Sequence, residues 1–68
     1  MMTDIEALKA VIADSGMTMT AISEKAGIRR ETLYNRLNGV GEFSASEIVG
    51  LTRVLRLTKR ERDHIFLS

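Results

Sequence analysis

The sequence predicts an all-α fold of five helices. Apolar residues recur at intervals of three or four along several stretches, which is the period of a helix with one buried face. At three of the expected helix starts a serine or threonine stands three residues before a glutamate, the spacing of a capping box. Helices at this spacing fill the 68 residues and leave no room for a sheet.

Composition indicates one small domain over residues 1–68. The 44% hydrophobic content supports a core, although a domain of this size buries only about 60% of the surface that its unfolded chain exposes. There is no cysteine to form a disulfide or bind zinc, and the only histidine, His64, does not make a metal site alone. We therefore expect no metal and no cofactor.

The sequence carries no membrane or secretion signal that we recognise. No apolar run approaches the roughly 18 residues of a membrane span, and the acidic N-terminus lacks the order of a signal peptide. We expect a cytoplasmic protein of a bacterium or a phage-infected cell, with no membrane partner.

Charge is unevenly distributed along the chain. The formal net charge of +1 is far below the basicity that by itself indicates nucleic-acid binding. Residues 1–28 carry two lysines against four acids, whereas residues 29–68 carry eight arginines or lysines against five acids. The positive half begins where we expect a helix over residues 30–37, although small proteins also show such asymmetry by chance.

The first helix is expected to begin at Thr3, because Thr3 and Glu6 have the spacing of a capping box. Ser15 and Gly16 end it, since glycine accepts the left-handed conformation that closes many helices. Its apolar face comprises Ile5, Leu8, Val11 and Ile12. We interpret this helix as scaffold.

Residues 18–38 predict two short helices joined by a tight turn, which is a helix-turn-helix. Gly27 takes the positive φ of the turn without a Cβ penalty, and Ile28 folds back beneath the two helices. Apolar residues four apart give each helix one buried stripe. The two pairs are Ile22 with Ala26 and Leu33 with Leu37.

Thr18 is the expected N-cap of the first of these helices, with Thr20 as the competing choice. Either hydroxyl stands at a helix N-terminus, where free amides and the helix dipole attract a phosphate. A capping role without any ligand is an equally good interpretation of each threonine.

The second helix, over residues 30–37, presents a polar outer face with side chains long enough to reach base edges. Tyr34 lies beside that face and is able to turn its hydroxyl toward a phosphate. The polar residues are Arg29, Arg30, Glu31, Thr32, Asn35 and Asn38. We interpret this face as the functional surface.

A loop follows Gly39, and we expect Val40 and Phe43 to enter the core. Ser44 and Glu47 then form a capping box that begins a fourth helix. Its apolar stripe comprises Ile48, Leu51, Thr52 and Leu55, widened by Val49 and Val54. Gly50 interrupts this helix, which indicates either close approach of another helix or a tolerated substitution.

Thr58 and Glu61 make a third capping box for a short last helix. That helix ends in the apolar triplet 65–67. Phe66 within it either closes the monomer core or contributes to a self-complementary patch between two copies.

The chain resembles the Cro and phage-repressor family, also called the XRE-type or lambda-repressor-like helix-turn-helix family, over roughly Ile5 to Leu57. In that family the second helix of the motif lies in the major groove and the first crosses the DNA backbone. The residues that carry the resemblance are Thr18, Ile22-Ser23, Gly27-Ile28, Thr32-Leu33 and Leu37-Asn38-Gly39.

The resemblance implies a role for each polar residue. Arginine donates two hydrogen bonds to guanine, asparagine pairs with adenine, and glutamate accepts from cytosine. We assign base contacts to Arg30, Glu31, Tyr34 and Asn35. We assign phosphate contacts, which set register and salt-sensitive affinity, to Thr18, Thr20, Arg29, Thr32 and Asn38.

The chain departs from the family pattern at three places. Met19 stands where the family often has a glutamine, whose side chain bonds both a DNA phosphate and the second helix of the motif. Arg29 replaces a frequent serine N-cap, and the loop after the motif contains Glu42 and no cation. These departures predict weak binding by one copy and hence a dimer on DNA.

The leading hypothesis is a sequence-specific regulator that binds double-stranded operator DNA as a homodimer. Two copies would meet through residues 65–67, through Val40 and its loop, or only on DNA. The alternative is a protein-interaction module with the same fold, favoured by the near-neutral charge and by Glu31. We expect neither an enzyme nor a small-molecule substrate, because the chain offers no nucleophile and base pair and no glycine-rich phosphate loop.

Overall fold

The computed structural model describes residues 3–67, and these residues form helices without any strand. The bounds are α1 Ile5–Ser15, α2 Met19–Ala26, α3 Arg30–Leu37, α4 Ala45–Val54 and α5 Lys59–Phe66. The predicted all-α fold of five helices is therefore confirmed. None of these helices has the length and apolar character needed to cross a membrane.

Side-chain caps begin four of the five helices. Thr18, rather than Thr20, caps α2 by accepting a hydrogen bond from the amide of Ala21 at 3.1 Å. The capping boxes of α4 and α5 are complete, with Ser44 and Thr58 each bonded reciprocally to the glutamate three residues later. Local sequence thus determines where these helices begin.

The start of α1 differs from the prediction, because Asp4 and not Thr3 is the N-cap. The carboxylate of Asp4 accepts from the amide of Ala7 at 3.0 Å. The amide of Asp4 donates to the carbonyl oxygen of Ile65 at 2.6 Å. This bond to the end of α5 fixes Asp4 at the cap position, so the expected pairing of Thr3 with Glu6 does not begin the helix.

One apolar core joins all five helices. Each of the first four contributes a fully buried side chain, namely Leu8, Ile22, Leu33 and Leu51. From α5, Phe66 is only 3% exposed and packs edge to face on the ring of Phe43, with ring centroids 5.5 Å apart. Phe66 therefore closes the monomer core, and Phe43 enters the core as predicted.

Two valines expected in the core lie outside it. Val40 is 59% exposed and Val49 is 65% exposed. Val40 stands in the turn that ends α3, where its amide bonds back to the carbonyl oxygen of Asn35 at 2.8 Å and its side chain projects outward. The buried face of α4 is centred on Gly50 and Leu51 and does not extend to Val49.

Gly50 marks the close approach of α4 to α2. A Cβ atom built on Gly50 would lie 2.5 Å from the carbonyl oxygen of Ala26, which is too close for any real side chain. The helix contact predicted from this glycine is therefore present. α2 packs against both α3 and α4.

Candidate nucleic-acid interface

The turn between α2 and α3 sets the angle at which α3 leaves the protein. Gly27 has φ +72°, in the left-handed region, and its amide donates to the last turn of α2. Ile28 is buried, and its amide donates to the carbonyl oxygen of Ser23 at 3.0 Å. The hydroxyl of the buried Ser23 donates to the carbonyl oxygen of Thr20 at 2.9 Å. These bonds and the burial of Ile28 hold the turn rigid.

The outer face of α3 stands clear of the rest of the protein. Leu33 and Leu37 turn into the core, whereas the polar side chains face solvent. Tyr34 is 46% exposed, and Thr32 is half-buried. The exposed polar residues are Arg29, Arg30, Glu31, Asn35 and Asn38. A row of donors and acceptors therefore faces outward along the whole length of α3.

Arg30 and Thr20 are joined by a hydrogen bond between the two helices. The guanidinium Nη1 of Arg30 donates to Oγ1 of Thr20 at 3.1 Å, and both residues are exposed. Met19 packs against the core and is unavailable for the bridging role that the resemblance places at its position. Thr20, one residue further on, makes the link from α2 to α3. Sequence reasoning missed this link, since it depends on how the helices cross.

Arg36 is the one arginine of α3 that turns away from the outer face. Its Nη1 donates to the carbonyl oxygen of Val40 at 3.1 Å, and its Nε lies 3.7 Å from the carboxylate of Glu47. A Cβ atom on Gly41 would lie 2.5 Å from the same Nη1, so the guanidinium rests directly on the backbone of that glycine. Arg36 thus fastens the loop after α3 to the start of α4. No sequence signal pointed to this role.

Three predicted phosphate contacts lie at helix ends. Thr18 is exposed and caps the N-terminus of α2, where the other amides of the first turn have no partner within the helix. Asn38 is the C-terminal cap of α3 and is exposed, with its amide bonded to the carbonyl oxygens of the last turn. Arg29 is the N-cap residue of α3 and makes no side-chain cap. This is expected of an arginine at a position where the family often has serine.

Positive charge is sparse around α3. Arg29 and Arg30 are its exposed cations, and Glu31 and Glu42 lie on the same stretch of chain. A larger group of cations lies where α4 ends and α5 begins. These residues are Arg53, Arg56, Lys59 and Arg60, all of them exposed.

A polar helix held outward by a tight turn against a second helix defines a DNA-binding helix-turn-helix domain. The family model named Helix-turn-helix matches residues 8–61, and the chain belongs to that family, in its XRE, Cro and C1 type. The resemblance seen in the sequence is thereby confirmed. The family consists of DNA-binding regulators of transcription and is generally non-enzymatic. Comparisons with curated proteins and with solved structures found no match.

Proposed function

We propose that this protein is a transcriptional regulator that binds a specific double-stranded DNA sequence by placing α3 in the major groove. The observation that carries the proposal is the exposed polar face of α3, opposite the buried Leu33 and Leu37. A helix of this kind fits the major groove of B-DNA, where each base pair presents a distinct pattern of donors and acceptors.

The proposed contacts divide into two groups. Arg30, Glu31, Tyr34 and Asn35 would contact base edges. Thr18, Thr20, Arg29, Thr32 and Asn38 would contact phosphates and set the register of the helix on the duplex. Eight of these nine residues are exposed and Thr32 is half-buried, so all nine have surface for a duplex to touch.

We further propose that two copies bind a partly palindromic operator with half-sites about 34 Å apart, one turn of the duplex. The sparse positive charge around α3 supports this, because one copy neutralises few phosphates. Of the surfaces considered for the dimer, the loop at Val40 is available, with this valine 59% exposed. The apolar triplet 65–67 offers less surface, because Ile65 and Phe66 are 2% and 3% exposed and lie in the monomer core. Only Leu67 of this triplet is exposed to a second copy.

Selection from random duplexes, followed by sequencing, tests the proposal. The protein is expected to enrich one motif with two related half-sites about one helical turn apart. The variant with Arg30→Ala and Asn35→Ala should enrich no motif or a degenerate one, while Lys9→Ala, which removes an exposed cation on α1, should enrich the original motif. Absence of any enriched motif with the unaltered protein would reject the proposal.

A further inference from the structure

The four cations at the junction of α4 and α5 form a surface that the proposed DNA contacts do not use. We name Arg53, Arg56, Lys59 and Arg60 the basic corner. Between residues 48 and 60 the chain contains no aspartate or glutamate. The basic corner is therefore the densest positive charge in the sequence, and it lies outside the helix-turn-helix.

No acidic side chain within residues 3–67 forms an ion pair with the basic corner. The ion pairs of that part of the chain involve Arg36, Arg62 and His64. The acid next to the corner, Glu61, directs its carboxylate to the amide of Thr58 at 2.8 Å, as the capping box of α5 requires. The side chains of Arg56, Lys59 and Arg60 are thus free to bind an external anion, while Arg53 also bonds the backbone of α2.

The fold itself gives little reason for the two cations at the start of α5. Lys59 and Arg60 are the first two residues of α5, at the positive end of its dipole, where acidic side chains are stabilising and cations are not. Arg56 has φ +54°, a backbone conformation that glycine or asparagine adopts more easily. Lys59 and Arg60 therefore oppose local stability, which indicates a use outside the folding of the chain, whereas Arg53 and Arg56 lie at the C-terminal end of α4, where cations are favourable.

The basic corner lies on α4, on α5 and in the turn between them. Arg53 donates to the carbonyl oxygen of Lys25 at 3.0 Å, which attaches the corner to the C-terminal end of α2. None of the nine residues proposed to contact DNA belongs to the corner.

We propose that the basic corner is a docking surface for an acidic segment of a partner protein. Arginine and lysine bind carboxylates through charge-assisted hydrogen bonds, and arginine does so with two parallel bonds. Charge complementarity selects a segment rich in aspartate or glutamate. Because the corner shares no residue with the proposed DNA contacts, we expect this partner to bind while α3 holds DNA. That simultaneous binding rests on the proposed function, whereas binding of the acidic segment does not.

The test measures binding of fluorescently labelled poly-L-glutamate by anisotropy. The corner variant carries Arg56→Gln, Lys59→Gln and Arg60→Gln, and the control variant removes the same number of exposed cations through Lys9→Gln, Arg29→Gln and Arg30→Gln. Arg53 stays, because it bonds α2. The corner variant should bind the peptide at least about tenfold more weakly than the unaltered protein, and the control variant within about twofold of it. Circular dichroism should show both variants folded, because every replaced side chain is exposed.

A second measurement repeats the peptide titration with the unaltered protein after it has been saturated with the selected operator duplex. The peptide should bind the DNA complex as it binds the free protein. The proposal would be overturned if the corner variant and the control variant lost peptide binding equally. It would also be overturned if the unaltered protein bound no peptide, or if DNA displaced the peptide. A shallower salt dependence of DNA binding in the corner variant would also overturn it, because the corner would then contact phosphates. Peptide binding by a protein that selects no DNA would reject the proposed function and leave the docking surface intact.

Discussion

The guanidinium of Arg30 is held by the hydroxyl oxygen of Thr20, 3.1 Å away across the helix-turn-helix. A threonine hydroxyl that accepts this hydrogen bond keeps its own proton to donate to a phosphate. Thr20 is therefore placed to bind a DNA phosphate and, at the same time, to orient the side chain of Arg30 toward the bases. Such preorganisation lowers the entropy lost when the long arginine side chain is fixed on DNA.

Thr20→Val should weaken the ability of Arg30 to distinguish base pairs. Valine matches the shape of threonine but has no oxygen to accept the hydrogen bond from Arg30. We expect a loss of about 0.5–1.5 kcal/mol in operator binding. A double-mutant cycle with Arg30→Ala measures the coupling, which should be at least about 0.5 kcal/mol. Thr20→Ser keeps the hydroxyl and is the matched control. Additive effects of Thr20→Val and Arg30→Ala would show that the two side chains act independently on DNA.

Gly50→Ala should destabilise the protein although alanine is the better helix former. The added methyl group would lie 2.5 Å from the carbonyl oxygen of Ala26, and this backbone atom cannot move aside without moving α2. Overpacking of this kind destabilises by about 1–3 kcal/mol. Urea denaturation measures the change. Val49→Ala, at an exposed site on the same helix, should change stability by less than about 0.5 kcal/mol. A more stable Gly50→Ala protein would contradict the close contact of α2 and α4.

Arg36→Met should loosen the loop after α3 without changing base preference. The substitution removes the donor to the carbonyl oxygen of Val40 and the charge beside Glu47, which we expect to lower stability by about 1 kcal/mol. Hydrogen exchange at the amides of residues 39–42 should become faster. Asn35→Ala should give the opposite pattern, with altered base preference and unchanged exchange. Altered base preference in Arg36→Met would place this arginine in the groove instead.

Glu61 should contribute to a loss of stability in acid. Hydrogen bonds from the backbone and side chain of Thr58 lower the pKa of this carboxylate from its ordinary value of 4.5. A group whose folded pKa is lowered stabilises the protein above its unfolded pKa, and that contribution disappears as the pH falls through the folded pKa. The melting temperature of Glu61→Gln should therefore fall less than that of the unaltered protein as the pH drops below 4.5. Glu6→Gln supplies the baseline for removing an exposed carboxylate, and identical pH profiles for the two variants would contradict the role of the cap.

The starts of α2, α3, α4 and α5 were predictable because their signals are local. α3 covers Arg30–Leu37 as its apolar spacing predicts, and the capping boxes at Ser44 and Thr58 are complete. Each signal involves residues within four positions of one another, so the chain specifies it before any tertiary contact forms. The outward placement of Asn35 followed from the same reasoning, since it is set by the burial of Leu33 and Leu37.

Contacts between distant elements were not predictable in this way. The bond from Asp4 to Ile65 moved the cap of α1, and the bond from Arg30 to Thr20 depends on the crossing of α2 and α3. Val40 was expected inside and lies outside, because an apolar residue in a loop carries no period that gives its direction. Gly50 indicated a close approach, but only the fold identifies Ala26 as the partner.

The most direct test of whether the outer face of α3 reads bases compares Asn35→Ala with Arg29→Ala on the selected operator and on each of its single base-pair substitutions. We expect Asn35→Ala to lose about 1–3 kcal/mol on the operator and to become indifferent to one base pair. Arg29→Ala should weaken binding to every duplex by the same factor and keep the order of preference. If both variants keep the full order of preference of the unaltered protein, α3 does not read sequence through this face.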